Sequence, residues 1–178
     1  MTNLIPIGIL TISDRANSGI YEDKSGPTIV KWINEKFLPT FKITSFTVPD
    51  EFELIRNKLN EWVEDEFGLI ITTGGTGPAA RDITPEATKA IISKVLPGFG
   101  EQMRAASLKD VPTAILSRQI AGIANDKTLI VNLPGVPKSI YVCLNAIEES
   151  ISPLIKILGH YSLTFKKYGE KNVTSHTS

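Results

Sequence analysis

Apolar and polar positions follow two alternating periods along the chain. Pro6–Ser13 is an Ile-rich run bounded by turn-formers, the pattern of a buried strand. Ser25–Phe37 changes period: Ile29, Ile33 and Phe37 recur every four residues beside Val30, and Pro27 suits a first helical turn. Lys42–Val48 predicts a second strand. Phe52–Phe67 predicts an amphipathic helix with Ile55, Leu59, Trp62, Val63 and Phe67 on one stripe. Leu69–Thr73, all apolar or β-branched, is the third strand. Thr84-Pro85-Glu86-Ala87 opens a helix, with Thr84 as N-cap and Pro85 at the first helical position. Pro97–Gly100 reads as a break before a helix from about Glu101 to Leu108. Thr113–Leu116 and Thr128–Leu133 read as further strands, and Pro137 starts a long helix that Pro153 interrupts. This order predicts an α/β fold, a mainly parallel sheet flanked by helices on both faces. Residues 1–165 read as one domain and 166–178 as a flexible polar tail.

Composition narrows the function classes. The chain has 178 residues, enough for one domain with a substantial core, and its 42% hydrophobic content is that of a globular protein. Lys+Arg and Asp+Glu balance at 19 each, so no net charge draws it to nucleic acid or to a membrane surface. Leu4–Leu10 has no basic residue before it and meets Ser13-Asp14-Arg15 at once, a strand rather than a signal peptide. No apolar run approaches the roughly 18 residues of a membrane span. A soluble cytoplasmic protein is expected. Cys143 stands alone inside a helical pattern and reads as a core residue, as do Trp32 and Trp62. His160 and His176 have no partner carboxylate or cysteine nearby, which disfavours a histidine-based metal site or triad.

The chemistry collects where strands end. In an open parallel sheet, ligands bind beyond the carboxyl ends of the strands, near the switch in strand order. There the chain places Ser13, Asp14 and Arg15, then Pro49, Asp50 and Glu51. Thr73, Gly74, Gly75, Thr76 and Gly77 follow the third strand, with Arg81 and Asp82 beyond. Ser117 and Arg118 come next, then Asn132, Pro134, Gly135, Lys138 and Ser139. Glycines let the backbone turn sharply and aim N–H groups at an anion. Arg15, Arg81, Arg118 and Lys138 are candidates to neutralise phosphate oxygens. A carboxylate beside a phosphate is repulsive unless a cation intervenes, so Asp50 and Asp82 point to Mg²⁺, which takes one or two carboxylates plus substrate phosphates. That set suits phosphoryl or nucleotidyl transfer. The Walker pattern and the dinucleotide G-x-G-x-x-G fingerprint are both absent. Plainer readings stand beside these: Gly74–Gly77 as a tight turn, Asp50 and Asp82 as helix caps, Arg104 on a solvated face, and Lys166-Lys167 in a solvated tail.

Thr72–Thr88 (TTGGTGPAARDITPEAT) strongly resembles the signature of the Mog-type molybdopterin adenylyltransferases. Ile12–Ala16, Pro97–Arg104, Pro112–Gln119 and Asn132–Ser139 agree with the same family in the same order, over residues 5–150. The resemblance implies a three-layer α/β sandwich, usually a homotrimer, that binds molybdopterin and uses Mg-ATP. In that chemistry the pterin's terminal phosphate attacks the α-phosphorus of ATP, giving adenylyl-molybdopterin and pyrophosphate, with no protein nucleophile. It implies Asp50 and Asp82 as the catalytic, Mg²⁺-holding pair, and Ser107 and Ser117 as pterin-site serines. Ser13, Asp14, Thr73, Gly74, Gly75, Thr76, Gly77, Arg81, Pro134, Gly135, Lys138 and Ser139 fall in its other substrate-binding motifs. A hand-over of product to a molybdate-inserting protein is also implied. Two alternatives stay open: a non-catalytic molybdopterin-binding or scaffold module, and a relative acting elsewhere in cofactor assembly. No motif aligns over Leu154–Ser178.

Overall fold

The computed structural model describes residues 4–159 and 163–166. Six strands form one sheet: β1 (Ile5–Ile12), β2 (Phe41–Val48), β3 (Leu69–Thr73), β4 (Lys94–Val95), β5 (Ala121–Ala124) and β6 (Thr128–Leu133). Their spatial order is β2-β1-β3-β6-β5-β4. β2, β1, β3 and β6 run parallel, whereas β5 is antiparallel to β6 and β4 to β5. The helices are α1 (Asp14–Asn17), α2 (Ser25–Lys36), α3 (Phe52–Glu64), α4 (Thr84–Lys89), α5 (Pro97–Leu108) and α6 (Pro137–Ile157).

The pleat sorts the strand side chains between two cores. Ile5, Ile7, Ile9, Leu69, Ile71, Leu129 and Val131 pack with α2, α5 and α6 on one face. Leu10, Ile12, Ile70 and Ile130 pack with α3 and α4 on the other. β3 and β6 are buried along their whole length and β1 over nearly all of it, which is why they read as continuous apolar runs. Trp32 and Trp62 are both core residues, as expected. Trp62 explains Gly8: a Cβ there would lie 2.4 Å from the indole ring, so only glycine lets α3 settle onto β1. Cys143 is fully buried in the α6 core.

The structure corrects four expectations. Thr113–Leu116 is not a strand but part of a 3-10 helix, Pro112–Leu116, opened by a proline that cannot donate to a ladder. The strand lies later, at Ala121–Ala124, where Gly122 hid it. A Cβ on Gly122 would meet Lys94 O at 2.7 Å, so glycine is the condition for β4 and β5 to pair. Pro97–Gly100 is the first turn of α5 rather than a break, because proline needs no partner for its missing N–H there. Thr84 is the first helical residue of α4, not its cap, and α6 runs unbroken through Pro153. Of the expected tail, Lys166 takes part in the fold: its N–H donates to Lys36 O at 2.8 Å. Residues 167–178, like His160, lie outside the described residues. No helix among the described residues is long and apolar enough to cross a membrane.

The reversal at β5 matters for the site. β1 crosses to β2 on one side of the sheet while β3 lies on its other side, a switch between β1 and β3. Residues after β1, β2, β3 and β6 share one edge. Because β5 is antiparallel, the residues before it, Ser117 and Arg118, reach that same edge. The expected gathering of strand ends holds, though its fourth contributor arrives in the opposite chain direction.

Candidate active site

Gly74–Gly77 forms the centre of this edge. Gly74 and Gly75 have φ of +94° and +62°, in the region where glycine is favoured. A Cβ on Gly74 would sit 2.2 Å from Ile12 O, and one on Gly75 would sit 2.3 Å from Thr84 Oγ1. The turn is held from three sides. Gly74 N–H donates to Leu133 O at 3.1 Å, Thr84 Oγ1 donates to Gly74 O at 2.9 Å, and Thr73 Oγ1 donates to Pro134 O at 2.8 Å. Beneath it, Asn132 Nδ2 donates to Thr72 Oγ1 and Thr88 Oγ1, both at 2.9 Å, tying α4 to β3 and β6. The N–H groups of Gly75, Thr76 and Gly77 take no acceptor among the described residues. The loop is therefore both a tight turn and a row of open donors.

The two candidate carboxylates flank this row. Asp50 Oδ1 lies 3.1 Å from where a Cβ on Gly75 would be, and Asp82 Oδ2 lies 2.7 Å from the same point on Gly77. Neither caps its following helix. Asp50 Oδ2 accepts from the Asp14 N–H at 3.0 Å while Asp14 Oδ1 accepts from the Asp50 N–H at 3.0 Å, a reciprocal pair joining the ends of β1 and β2. Asp82 Oδ2 accepts from the Ala79 N–H at 2.9 Å. Arg81 grips Asp14 with two hydrogen bonds, at 2.7 and 2.8 Å. The Arg81 guanidinium, with the Asp50 N–H, holds Asp14 below the ordinary carboxylate range. Asp50 goes the other way: partial burial lifts it, and the charges of Asp14 and Asp82 add to the rise against the lowering Asp14 N–H. A carboxylate crowded by two others at a half-buried rim is an environment that a cation would relieve. Among the described residues no three His, Cys, Asp or Glu side chains converge on one point. A hard cation here would take carboxylate oxygens from Asp50 and Asp82 and complete its shell with ligand oxygens and water, the habit of Mg²⁺.

The remaining expected residues divide among neighbouring clefts. Ser13, Thr73, Gly74 and Gly135 line one of about 460 Å³, together with Arg15, Tyr21, Asp23, Lys24 and Ser25. Ser13 Oγ also accepts from the Ala16 N–H at 3.2 Å, capping α1. Gly74, Gly75, Thr76, Gly77, Asp82, Ser117, Pro134 and Gly135 line an open trough of about 400 Å³. Ser107, Ser117, Pro134 and Ser139 line a third, of about 110 Å³, with Arg104 and Gln119. Lys138 stands farther out, at a small recess with Ser107 and Ser139. Gly74 and Gly135 line both the first cleft and the trough, and Ser117 and Pro134 line both the trough and the third, so the three adjoin around the glycines.

Several residues of this cleft escape the sequence reading. Tyr21 and Lys24 sit in a region without a recognisable pattern and Ser25 opens the predicted helix, and Lys24 and Arg15 both lie about 6 Å from the Tyr21 ring centre, at 5.9 and 5.8 Å. Arg104 is not on a solvated face: its Nη1 donates to Gln119 O at 3.0 Å. Gln119 itself is buried. Its Oε1 accepts from Ser117 Oγ at 2.6 Å, and its Nε2 donates to Cys143 Sγ at 3.5 Å, which Ser107 Oγ also contacts at 3.5 Å. Burial, followed by the opposing bonds from Ser107 and Gln119, leaves the Cys143 thiol raised above its usual range. Arg118, a candidate for phosphate, instead spends its guanidinium on the protein.

The family model described as "Probable molybdopterin binding domain" matches residues 8–156, which contain every one of these groups. The chain belongs to that family. It is 52% identical to a molybdopterin adenylyltransferase of Helicobacter pylori strain J99, over 95% of this chain and 94% of that protein. It is 47% identical to a molybdopterin adenylyltransferase of Escherichia coli K12, over 83% of this chain and 76% of that protein. Among solved structures it is similar to the molybdopterin biosynthesis enzyme MoaB of Thermus thermophilus. The TM-score is 0.81 and the identity 35%, over 89% of this chain and 99% of that one. The α/β sandwich is thus the family's own architecture, and the glycine edge lies inside the matched residues.

Proposed function

We propose that this protein is an enzyme of molybdenum cofactor biosynthesis, a nucleotidyltransferase that moves AMP from ATP to the terminal phosphate of molybdopterin and releases pyrophosphate. The observation that carries this reading is the row of open N–H donors at Gly75–Gly77 with a carboxylate at each end. The near full-length similarity to named molybdopterin adenylyltransferases supports it.

The chemistry follows from the arrangement. The attacking atom is an oxygen of the pterin phosphate and the leaving group is pyrophosphate, so the protein need supply no nucleophile and no large proton transfer. Its task is to bring two anions together and to absorb charge, which positioning and electrostatics accomplish. The backbone N–H groups of Gly75, Thr76 and Gly77 bind phosphate oxygens. Asp50 and Asp82 would hold Mg²⁺, which would neutralise charge on the reacting phosphates. Ser13, Thr73 and Gly135 face the lobe that also contains Arg15 and Lys24, whose positive charge suits a polyphosphate. Ser107, Ser117 and Ser139 line the narrower lobe with Arg104, and Lys138 lies outside it, a polar wall for a heterocycle with a basic group at its mouth. Asp14 and Arg81 act on the site through Asp50, by fixing its backbone and one carboxylate oxygen. The same family resemblance suggests a cytoplasmic homotrimer that delivers its product to a molybdate-inserting partner.

Pyrophosphate release from ATP on addition of molybdopterin and Mg²⁺ tests the reading directly. Asp50→Asn and Asp82→Asn are each expected to lower that rate by about 100-fold or more. Full rates in both variants would remove the assigned roles, and molybdopterin binding without any ATP turnover would make the protein a binding module instead.

A further inference from the structure

Arg118 occupies an unusual place in this cleft. It precedes the antiparallel strand β5, yet its contacts all run back to the glycine loop and its sequel. Its main-chain N–H donates to Thr76 O at 2.8 Å, and its Nε donates to Gly77 O at 2.8 Å. Nη2 donates to Asp82 O, and Nη1 pairs with the Glu86 carboxylate. These four acceptors span the loop, the carboxylate-bearing turn and the first turn of α4. A guanidinium presents its N–H groups in a rigid planar fork, so three acceptors held by one such group have their mutual placement set. A flexible ammonium has no equivalent geometry.

The segment it binds needs such a fixture. Pro78, Ala79, Ala80 and Arg81 are exposed, and no strand or helix covers them. Within the segment, the Asp82 carboxylate is held by the Ala79 N–H, and Arg81 by its exposed pair with Asp14. Exposed ion pairs contribute little rigidity. Arg118, half-buried, adds a bond from each of its three guanidinium nitrogens between this segment with α4 and the chain that enters β5.

We propose that Arg118 is a positioning residue for AMP transfer: it fixes residues 76–82 so that the Asp82 carboxylate and the loop N–H groups face the same reacting phosphates. The inference rests on the proposed activity. Arg118 acts in this role through the protein: three of its five guanidinium N–H groups are directed at Gly77, Asp82 and Glu86. Its effect passes through backbone carbonyls to the groups that do touch substrate. Displacement of those groups by even an ångström costs about 100-fold in rate.

The test compares wild type with Arg118→Ala and Arg118→Lys by amide hydrogen exchange and by kinetics. In Arg118→Ala, exchange of the hydrogen-bonded amides of the segment, Ala79 and Asp82, is expected to quicken about tenfold or more while peptides from β1 and β6 keep their protection. The rate constant for transfer is expected to fall about 100-fold with molybdopterin affinity within a few-fold of wild type. Arg118→Lys should restore little, and added guanidinium should rescue Arg118→Ala in part. Unchanged exchange in the loop, or a loss of molybdopterin binding equal to the loss of rate, would overturn the proposal. If Arg118→Ala does not fold, Glu86→Gln removes one partner's charge and should give the same split at a few-fold scale; no split there counts against it. A wild type without turnover would sink the transfer reading alone, and the exchange result would still decide whether Arg118 holds the loop.

Discussion

The glycine loop divides its cleft into two unlike halves. On the carboxylate side, charge-assisted bonds form two groups at a half-exposed rim, Asp14 with Asp50 and Arg81, and Arg118 with Glu86 and the Asp82 carbonyl. On the serine side, Ser107, Ser117, Gln119 and Cys143 form a neutral hydrogen-bonded chain beside a small cleft that Ser107, Ser117 and Gln119 line together with Arg104. The first half holds groups that respond to charge as it moves in a reaction. The second offers hydroxyls, an amide and a thiol, which respond to shape and to fixed hydrogen-bonding atoms. Rate should therefore depend on the first half and recognition on the second.

The comparison breaks most severely at the divider itself. Gly74→Ala puts a Cβ 2.2 Å from a backbone oxygen at a φ of +94°, a clash that no rotamer relieves. It is expected to destabilise the fold by roughly 3 kcal/mol and to abolish transfer, as read by thermal unfolding and by pyrophosphate release. A stable, active Gly74→Ala would mean that the two halves are not held apart by this turn. A smaller change sharpens the contrast on the serine side. Gln119→Leu removes the buried amide that orients Ser117, and should weaken molybdopterin binding about tenfold while leaving the rate at saturation within about twofold. A fall in rate at saturating substrate would move Gln119 to the reacting half. The smallest expected effect is at Cys143. Its thiol is raised above the usual range by burial, so less of it is thiolate at any given pH than in a free cysteine. Alkylation of the native protein should be slow at neutral pH and quicken only at distinctly alkaline pH, whereas unfolded chain reacts at once. Fast labelling at neutral pH would show that the serine half opens to solvent.

How much of this was legible depended on what each segment buries. β1, β3 and β6 are covered on both faces, so their apolar runs announce themselves and α2 and α3 between them keep a clean helical period. β5 is the opposite case. Its Ala-Gly-Ile-Ala carries no strand signal, because close approach of β4 demands Gly122 rather than a β-branched residue. The β-branched Thr113–Ile115 stretch nearby has the better composition, but it has no neighbouring strand to pair with. The carboxylates and the glycine loop were visible because their residue types are chemically odd after a buried strand. Gln119 and Arg104 were not, since a polar side chain facing a cleft and one facing water look alike in sequence. Arg118 was visible as a charge but not as a staple, because its partners are main-chain carbonyls with no identity in the sequence.

The parallel pairing also has a consequence for how the protein comes into being. Ile7 is registered with Leu69, and Leu69 with Leu129, so each central strand waits for a partner made much later. The glycine turn in turn leans on Leu133 and Pro134, the latter 61 positions beyond Thr73. A nascent chain that has emerged only as far as β5 already carries Asp14, Asp50, the loop, Asp82 and Arg118. It has no shelf for them to rest on. Assembly of the cleft is thus a late, all-at-once event of folding, slowed by long-range closure, and competence arrives only with the last strand.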